Sequence, residues 1–187
     1  MTGTAAGAVW LVDDPDGAPL AIAAWEAGLA EWEVLRLDAD PSFTTVATLA
    51  LRHATTIRRA GPGPHCLVGV GGGATVAFEV ARQLLVGDVP VEHLVVLDGG
   101  PGFVHGKGSA AARSARARYR WDGRSVGCAT TVVWSSDVAS SDSSLGWAAH
   151  VDATLRVVHL GAPHDAIRRS QGDDAVAAVR MALDRSS

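Results

Sequence analysis

The stretch Cys66-Leu67-Val68-Gly69-Val70-Gly71-Gly72-Gly73-Ala74 runs an apolar segment straight into a cluster of glycines and out into a helical pattern. A chain can turn that sharply between a strand and a helix only where missing side chains let the backbone bend and pack closely. The same strand-and-helix alternation recurs along the sequence. Ala8 to Val12, Trp32 to Leu37, His65 to Val70, His93 to Leu97, Ala129 to Trp134 and Thr154 to Leu160 read as short strands. Leu20 to Glu31, Thr44 to Arg59, Ala74 to Leu85 and Gly172 to Asp184 carry helical spacing. This predicts an α/β fold, a mostly parallel sheet with helices on both faces. Ligands of such sheets bind beyond the carboxyl ends of the strands. Asp13 to Asp16, Gly69 to Gly73, Asp98 to Gly100, Ser135 to Asp137 and Gly161 to Asp165 fall there.

A length of 187 residues with 48% apolar and 19% charged residues predicts one globular domain over 1–187. The net charge of −4 leaves no basic footprint, and Arg113, Arg116, Arg118, Arg120 and Arg124 form only one local cluster, so nucleic acid is not expected as a partner. No apolar run approaches the roughly 20 residues of a membrane helix. The first residues lack a basic region followed by an apolar signal core, so a cytoplasmic location is expected, with no membrane association. Cys66 and Cys128 fall inside predicted strands without Cys-x-x-Cys spacing, and read as reduced packing residues. No metal site or cofactor is called for. Gly99 to Gly127 is rich in Gly, Ala and Arg with room for one short helix, and Ser135 to Ser144 reads as a solvated Ser/Asp tract.

The glycine cluster has two chemical readings. Gly69-x-Gly71-x-x-Ala74 followed by Asp98 at the end of the next strand has the form of a dinucleotide fingerprint. That fingerprint normally opens its unit, whereas two predicted strands precede it here, and nothing downstream suggests hydride transfer. The other reading is the turn that exposes a nucleophile in G-x-S-x-G, with Gly71 at the central position.

Several further stretches favour the second reading. Pro41-Ser42 precedes an Ala-rich helix and then Gly61-Pro62-Gly63-Pro64-His65-Cys66-Leu67-Val68-Gly69. Ala77-Phe78-Glu79-Val80-Ala81-Arg82-Gln83-Leu84 follows the turn, then come His93-Leu94-Val95-Val96-Leu97-Asp98 and Leu160-Gly161-Ala162-Pro163-His164. Together they resemble the thioesterase family that releases chains from polyketide synthases and nonribosomal peptide synthetases, from about Val9 to His164 and most closely from Pro41 to Asp98. The resemblance implies an α/β-hydrolase fold and a substrate that is an acyl, polyketide or peptide intermediate, carrier-bound or free. It also implies that Asp98 and His164 are the acid and histidine of a triad in the order nucleophile, acid, histidine.

The departures are specific. Gly71 stands where the family carries its serine, and Asp14-Pro15-Asp16-Gly17-Ala18 stands where the family has a His-Pro-Ala-Gly-Gly type oxyanion segment. Only Gly99 to Gly127 fills the place of the family's long helical lid, which implies a reduced lid. A triad stripped of its nucleophile keeps only roughly 10³ to 10⁴-fold catalysis over water. An Asp98–His164 pair remains a competent general base for direct, non-covalent attack on a thioester or ester, or for cyclisation, elimination or isomerisation. The N–H of Gly72, with Gly17 and Ala18, would hold a developing oxyanion. The competing expectation is a non-catalytic binding or docking module, which Asp14 and Asp16 favour because carboxylates beside an oxyanion site repel negative charge unless they face solvent. Asp137 is the reserve acid for His164, His105 and Lys107 read as solvated loop residues, and Cys66 is a poor substitute nucleophile. Trp10 and Trp134 read as core, and Trp147 as packing, with a ligand-facing position near the Ser/Asp tract as its alternative.

Overall fold

A computed structural model describes residues 7–14, 20–38, 45–101, 119, 121–136, 142–144, 146–164 and 173–184. Six strands, β1 (Ala8–Val12), β2 (Glu33–Leu37), β3 (His65–Val70), β4 (Val91–Leu97), β5 (Ala129–Trp134) and β6 (Leu155–His159), form one sheet in the order β2-β1-β3-β4-β5-β6. Every pairing is parallel. The expected α/β class is therefore present. β4 begins two residues before the expected His93, because Val91 pairs with His65 across an irregularity in the β3 register.

The helices are α1 (Ile22–Gly28), α2 (Val46–Ala60), α3 (Gly73–Val86) and α4 (Asp173–Leu183). Strand side chains alternate between two cores. Trp10, Val12, Leu67, Leu94, Val96 and Val132 pack with α2 and α3 on one face. Val9, Leu11, Val68, Val95, Leu97 and Val133 pack with α1 and α4 on the other. Burial of both faces explains why β3 and β4 read as nearly unbroken apolar runs. α1 stops at Gly28, short of the expected Glu31. A Cβ at Gly28 would stand 2.2 Å from Val176 Cγ1, so the close approach of α1 and α4 depends on glycine there.

Glu79 and His93 are among the polar residues buried in this framework. Glu79 on α3, 2% exposed, accepts from Arg82 Nε and Nη2 at 2.8 and 2.7 Å, from Gln83 at 2.8 Å and from the Tyr119 hydroxyl at 2.8 Å. Burial pushes its carboxyl up, but these hydrogen bonds and the Arg82 charge outweigh that and hold it below the ordinary value. Arg82 also reaches Asp122, fastening the chain entering β5 to α3. His93 on β4 pairs with the Thr131 hydroxyl at 2.9 Å. Burial, aided by the Arg156 charge, lowers its pKa to about 4.

His93 is buried neutral, so protonation favours the unfolded chain, whose histidine titrates near 6.5. Its stabilisation is complete above about pH 6.5 and is lost as pH falls toward 4, by up to about 3 kcal/mol. Denaturant melts from pH 7.5 to 4 should show that decline, and His93→Gln should flatten it. At constant pH, Arg82→Ala strands the Glu79 charge and should lower unfolding free energy by about 3 kcal/mol in the same melts.

Candidate functional site

The order β2-β1-β3 means that the chain leaves β1 toward one side of the sheet and returns on the other. The carboxyl ends of β1 and β3 therefore flank a topological switch point, where open α/β sheets form their ligand crevice. At that point Gly71 turns the chain from β3 into α3 with φ +56°, the left-handed conformation that costs an L residue roughly 1–2 kcal/mol. Its N–H donates to Leu97 O at 2.8 Å and its carbonyl accepts from Ala74 N at 3.1 Å.

The neighbouring glycines are fixed by contact. A Cβ at Gly73 would lie 2.3 Å from the Val12 carbonyl oxygen, and one at Gly69 would lie 2.6 Å from Ala74 Cα. A Cβ at Gly99 would lie 2.3 Å from the Gly71 carbonyl oxygen. The turn thus has the close strand–helix packing and left-handed centre of a nucleophile elbow. Gly72 caps α3, so its N–H belongs to the helix end that favours negative charge.

Asp98, fully buried at the end of β4, also lies in the left-handed region at φ +51°. Its N–H donates to Val133 O at 2.9 Å, and Oδ1 accepts from Ser135 N at 2.6 Å. Its other oxygen, Oδ2, accepts from His164 Nδ1 at 2.8 Å. A carboxylate can only accept from Nδ1, which fixes the neutral ring with Nε2 as the basic nitrogen. With both oxygens bonded within the protein and no exposed surface, Asp98 is turned inward rather than toward a ribose hydroxyl, which counts against the dinucleotide reading.

Asp14, one of the two carboxylates weighed against an oxyanion site, turns toward the elbow. The Cβ that an L residue would carry at position 71 stands 2.9 Å from Asp14 Oδ2 and 3.7 Å from His164 Cε1. Its place in the sequence, two residues beyond β1, was the only available signal. The preceding Asp13 accepts from Asp14 N at 2.9 Å and from Leu20 N at 3.0 Å, closing the loop between them.

Gly17, Ala18, Asp16, Asp137, His105 and Lys107 lie outside the described residues, as does most of the expected reduced lid. Trp147 is fully buried against Phe78 and donates to Gly99 O at 2.6 Å, so it packs. Cys66 is likewise buried, which pushes its thiol up to about 12 and leaves it inert. Among the described residues no cluster of His, Cys, Asp and Glu could hold a metal ion, and no helix is long and apolar enough to cross a membrane. A cavity of about 400 Å³ opens at the opposite edge of the sheet, beside Glu92, His93, Thr130 and Arg156. It lies at the amino ends of β4 and β5, away from Gly71 and His164.

Residues 31–120 match the family model of the thioesterase domain. The fold is one that solved thioesterases share. YbtT, a type II thioesterase from the yersiniabactin NRPS/PKS biosynthetic pathway, superposes with a TM-score of 0.80 at 15% identity, covering 100% of this chain and 96% of that one. The NocB thioesterase domain from the nocardicin cluster gives 0.73 at 22% identity, over 95% and 93%. RedJ, a thioesterase from the prodiginine pathway of Streptomyces coelicolor, gives 0.76 at 17% identity, over 94% and 89%. No curated protein sequence matches the chain.

Gly73→Ala drives a methyl group into the backbone of β1, where no side chain can move aside. It should cost at least about 2 kcal/mol of stability in thermal or denaturant melts. Gly61→Ala, which meets nothing within 4 Å, is the contrasting substitution, although its positive φ adds some strain.

Proposed function

We propose that this thioesterase-like protein serves polyketide or nonribosomal peptide biosynthesis, acting on an acyl or carrier-bound intermediate without a covalent serine step. The observation that carries the reading is the 2.8 Å contact of His164 Nδ1 with buried Asp98, beside a turn whose central residue has no side chain. The pathways named for YbtT, NocB and RedJ supply the substrate class.

In this mechanism Asp98 keeps His164 in the tautomer whose Nε2 takes a proton from an attacking water or from a nucleophile within the substrate. As the carbonyl oxygen gains charge, the Gly72 N–H at the head of α3 stabilises it, joined by the backbone of Gly17 and Ala18. The imidazolium then returns its proton to the departing thiolate. Asp98 fills the acid's role directly, so Asp137 is not needed for it.

The test is turnover of short acyl thioesters by the natural chain, Gly71→Ser and His164→Ala, with intact-protein mass followed in parallel. Turnover that falls at least 100-fold in His164→Ala and leaves no acyl adduct is expected. Silence from the natural chain, with adduct or turnover only in Gly71→Ser, would favour a non-catalytic module that binds an intermediate or another pathway protein.

A further inference from the structure

We propose that Asp14 takes over the place of the missing nucleophile side chain, its carboxylate holding with His164 the water that attacks the bound acyl group. The inference rests on the non-covalent reading above and adds a catalytic residue to it.

The segments that follow β1, β3 and β6 converge on one point. An L residue at position 71 would put its Cβ there, 2.9 Å from Asp14 Oδ2, 3.7 Å from Asp14 Cγ and 3.7 Å from His164 Cε1. The oxygen is the nearer carboxylate atom, so Asp14 points at this space oxygen first. A side chain at 71 would occupy the volume that the carboxylate now borders.

Each of the three is held from behind. Gly71 is anchored through Leu97 O and Ala74 N, His164 through Asp98, and the Asp14 backbone through buried Asp13. Such anchoring fixes distances before substrate arrives, which is what proximity catalysis requires.

The chemistry follows from what water needs. A water in this space has two protons to donate, one to His164 Nε2 and one to Asp14 Oδ2, which leaves a lone pair for the carbonyl carbon. As the C–O bond forms, the water's first proton passes to Nε2 and the carbonyl π pair moves to oxygen. When that pair returns, the C–S bond breaks, and the thiolate leaves with the Nε2 proton. The second water proton remains on the product acid and passes through Asp14 to solvent. The imidazolium gains a second nearby carboxylate while it exists. The oxyanion must then form on the Gly72 side, away from Asp14.

The experiment uses the full chain and a short acyl thioester of N-acetylcysteamine that the natural protein turns over through His164. Asp14→Asn, matched in shape, should lower kcat about 100-fold with KM changed less than threefold. Asp14→Ala should be equally slow and should recover at least tenfold on addition of formate, a small carboxylate able to enter the vacated space. A purely structural Asp14 would give no such rescue, so absence of recovery in a variant that melts like the natural chain overturns the proposal. Asp14→Asn within threefold of the natural kcat overturns it too, while leaving His164-dependent hydrolysis standing. An acyl adduct mapped to Asp14, or oxygen from labelled water entering that carboxyl in a single turnover, replaces water-holding with covalent attack and also overturns it. Failure of the natural chain to turn over any acyl thioester overturns this inference and the function it rests on together.

Discussion

Backbone-to-backbone contact at the switch point underlies the rest of this molecule. At Gly73 the first turn of α3 lies against the Val12 and Asp13 carbonyls, and at Gly99 the chain leaving β4 lies against the Gly71 carbonyl. Only hydrogen fits between these segments, so β1, β3, α3 and the end of β4 come together without intervening side chains. Burial of two apolar cores supplies the driving force, but the spacing of the strand ends is set by these glycine contacts. Asp98, at the end of β4, inherits its position from that spacing.

Retaining the elbow without a side chain at its centre has an energetic logic. A residue other than glycine at φ +56° carries strain of roughly 1–2 kcal/mol. Gly71 removes it, while Asp98 keeps comparable strain at φ +51° and offsets it with hydrogen bonds to Val133, Ser135 and His164. At this site the strain that persists therefore lies on the residue that accepts from His164.

Much of the architecture was legible in the sequence because periodicity and burial coincide. The unbroken apolar runs of β3 and β4 lie at the centre of the sheet, and the Thr45 to Ala60 region shows helical amphipathy that the sheet uses directly. The β2-β1-β3 order was not legible, since hydrophobic pattern specifies strands but not their neighbours. The Gly69–Gly73 turn stood out because five positions contain four glycines. Asp98 and His164 came from the family resemblance rather than from any local signal, as a buried strand-end aspartate and a loop histidine are individually unremarkable. The direction of Asp14 was hidden because it depends on where β1 ends relative to β3.

Asp13 has a consequence of a different kind. One oxygen of this carboxylate receives the N–H at the start of the loop beyond β1 and the other receives the N–H at its end, at 2.9 and 3.0 Å. The clasp makes the loop's two attachment points a property of a residue that lies outside positions 15–19. The sequence between them can be rewritten, by drift or by design, without relocating either end. One side chain at the end of β1 thus sets the separation of residues 14 and 20, whatever sequence joins them.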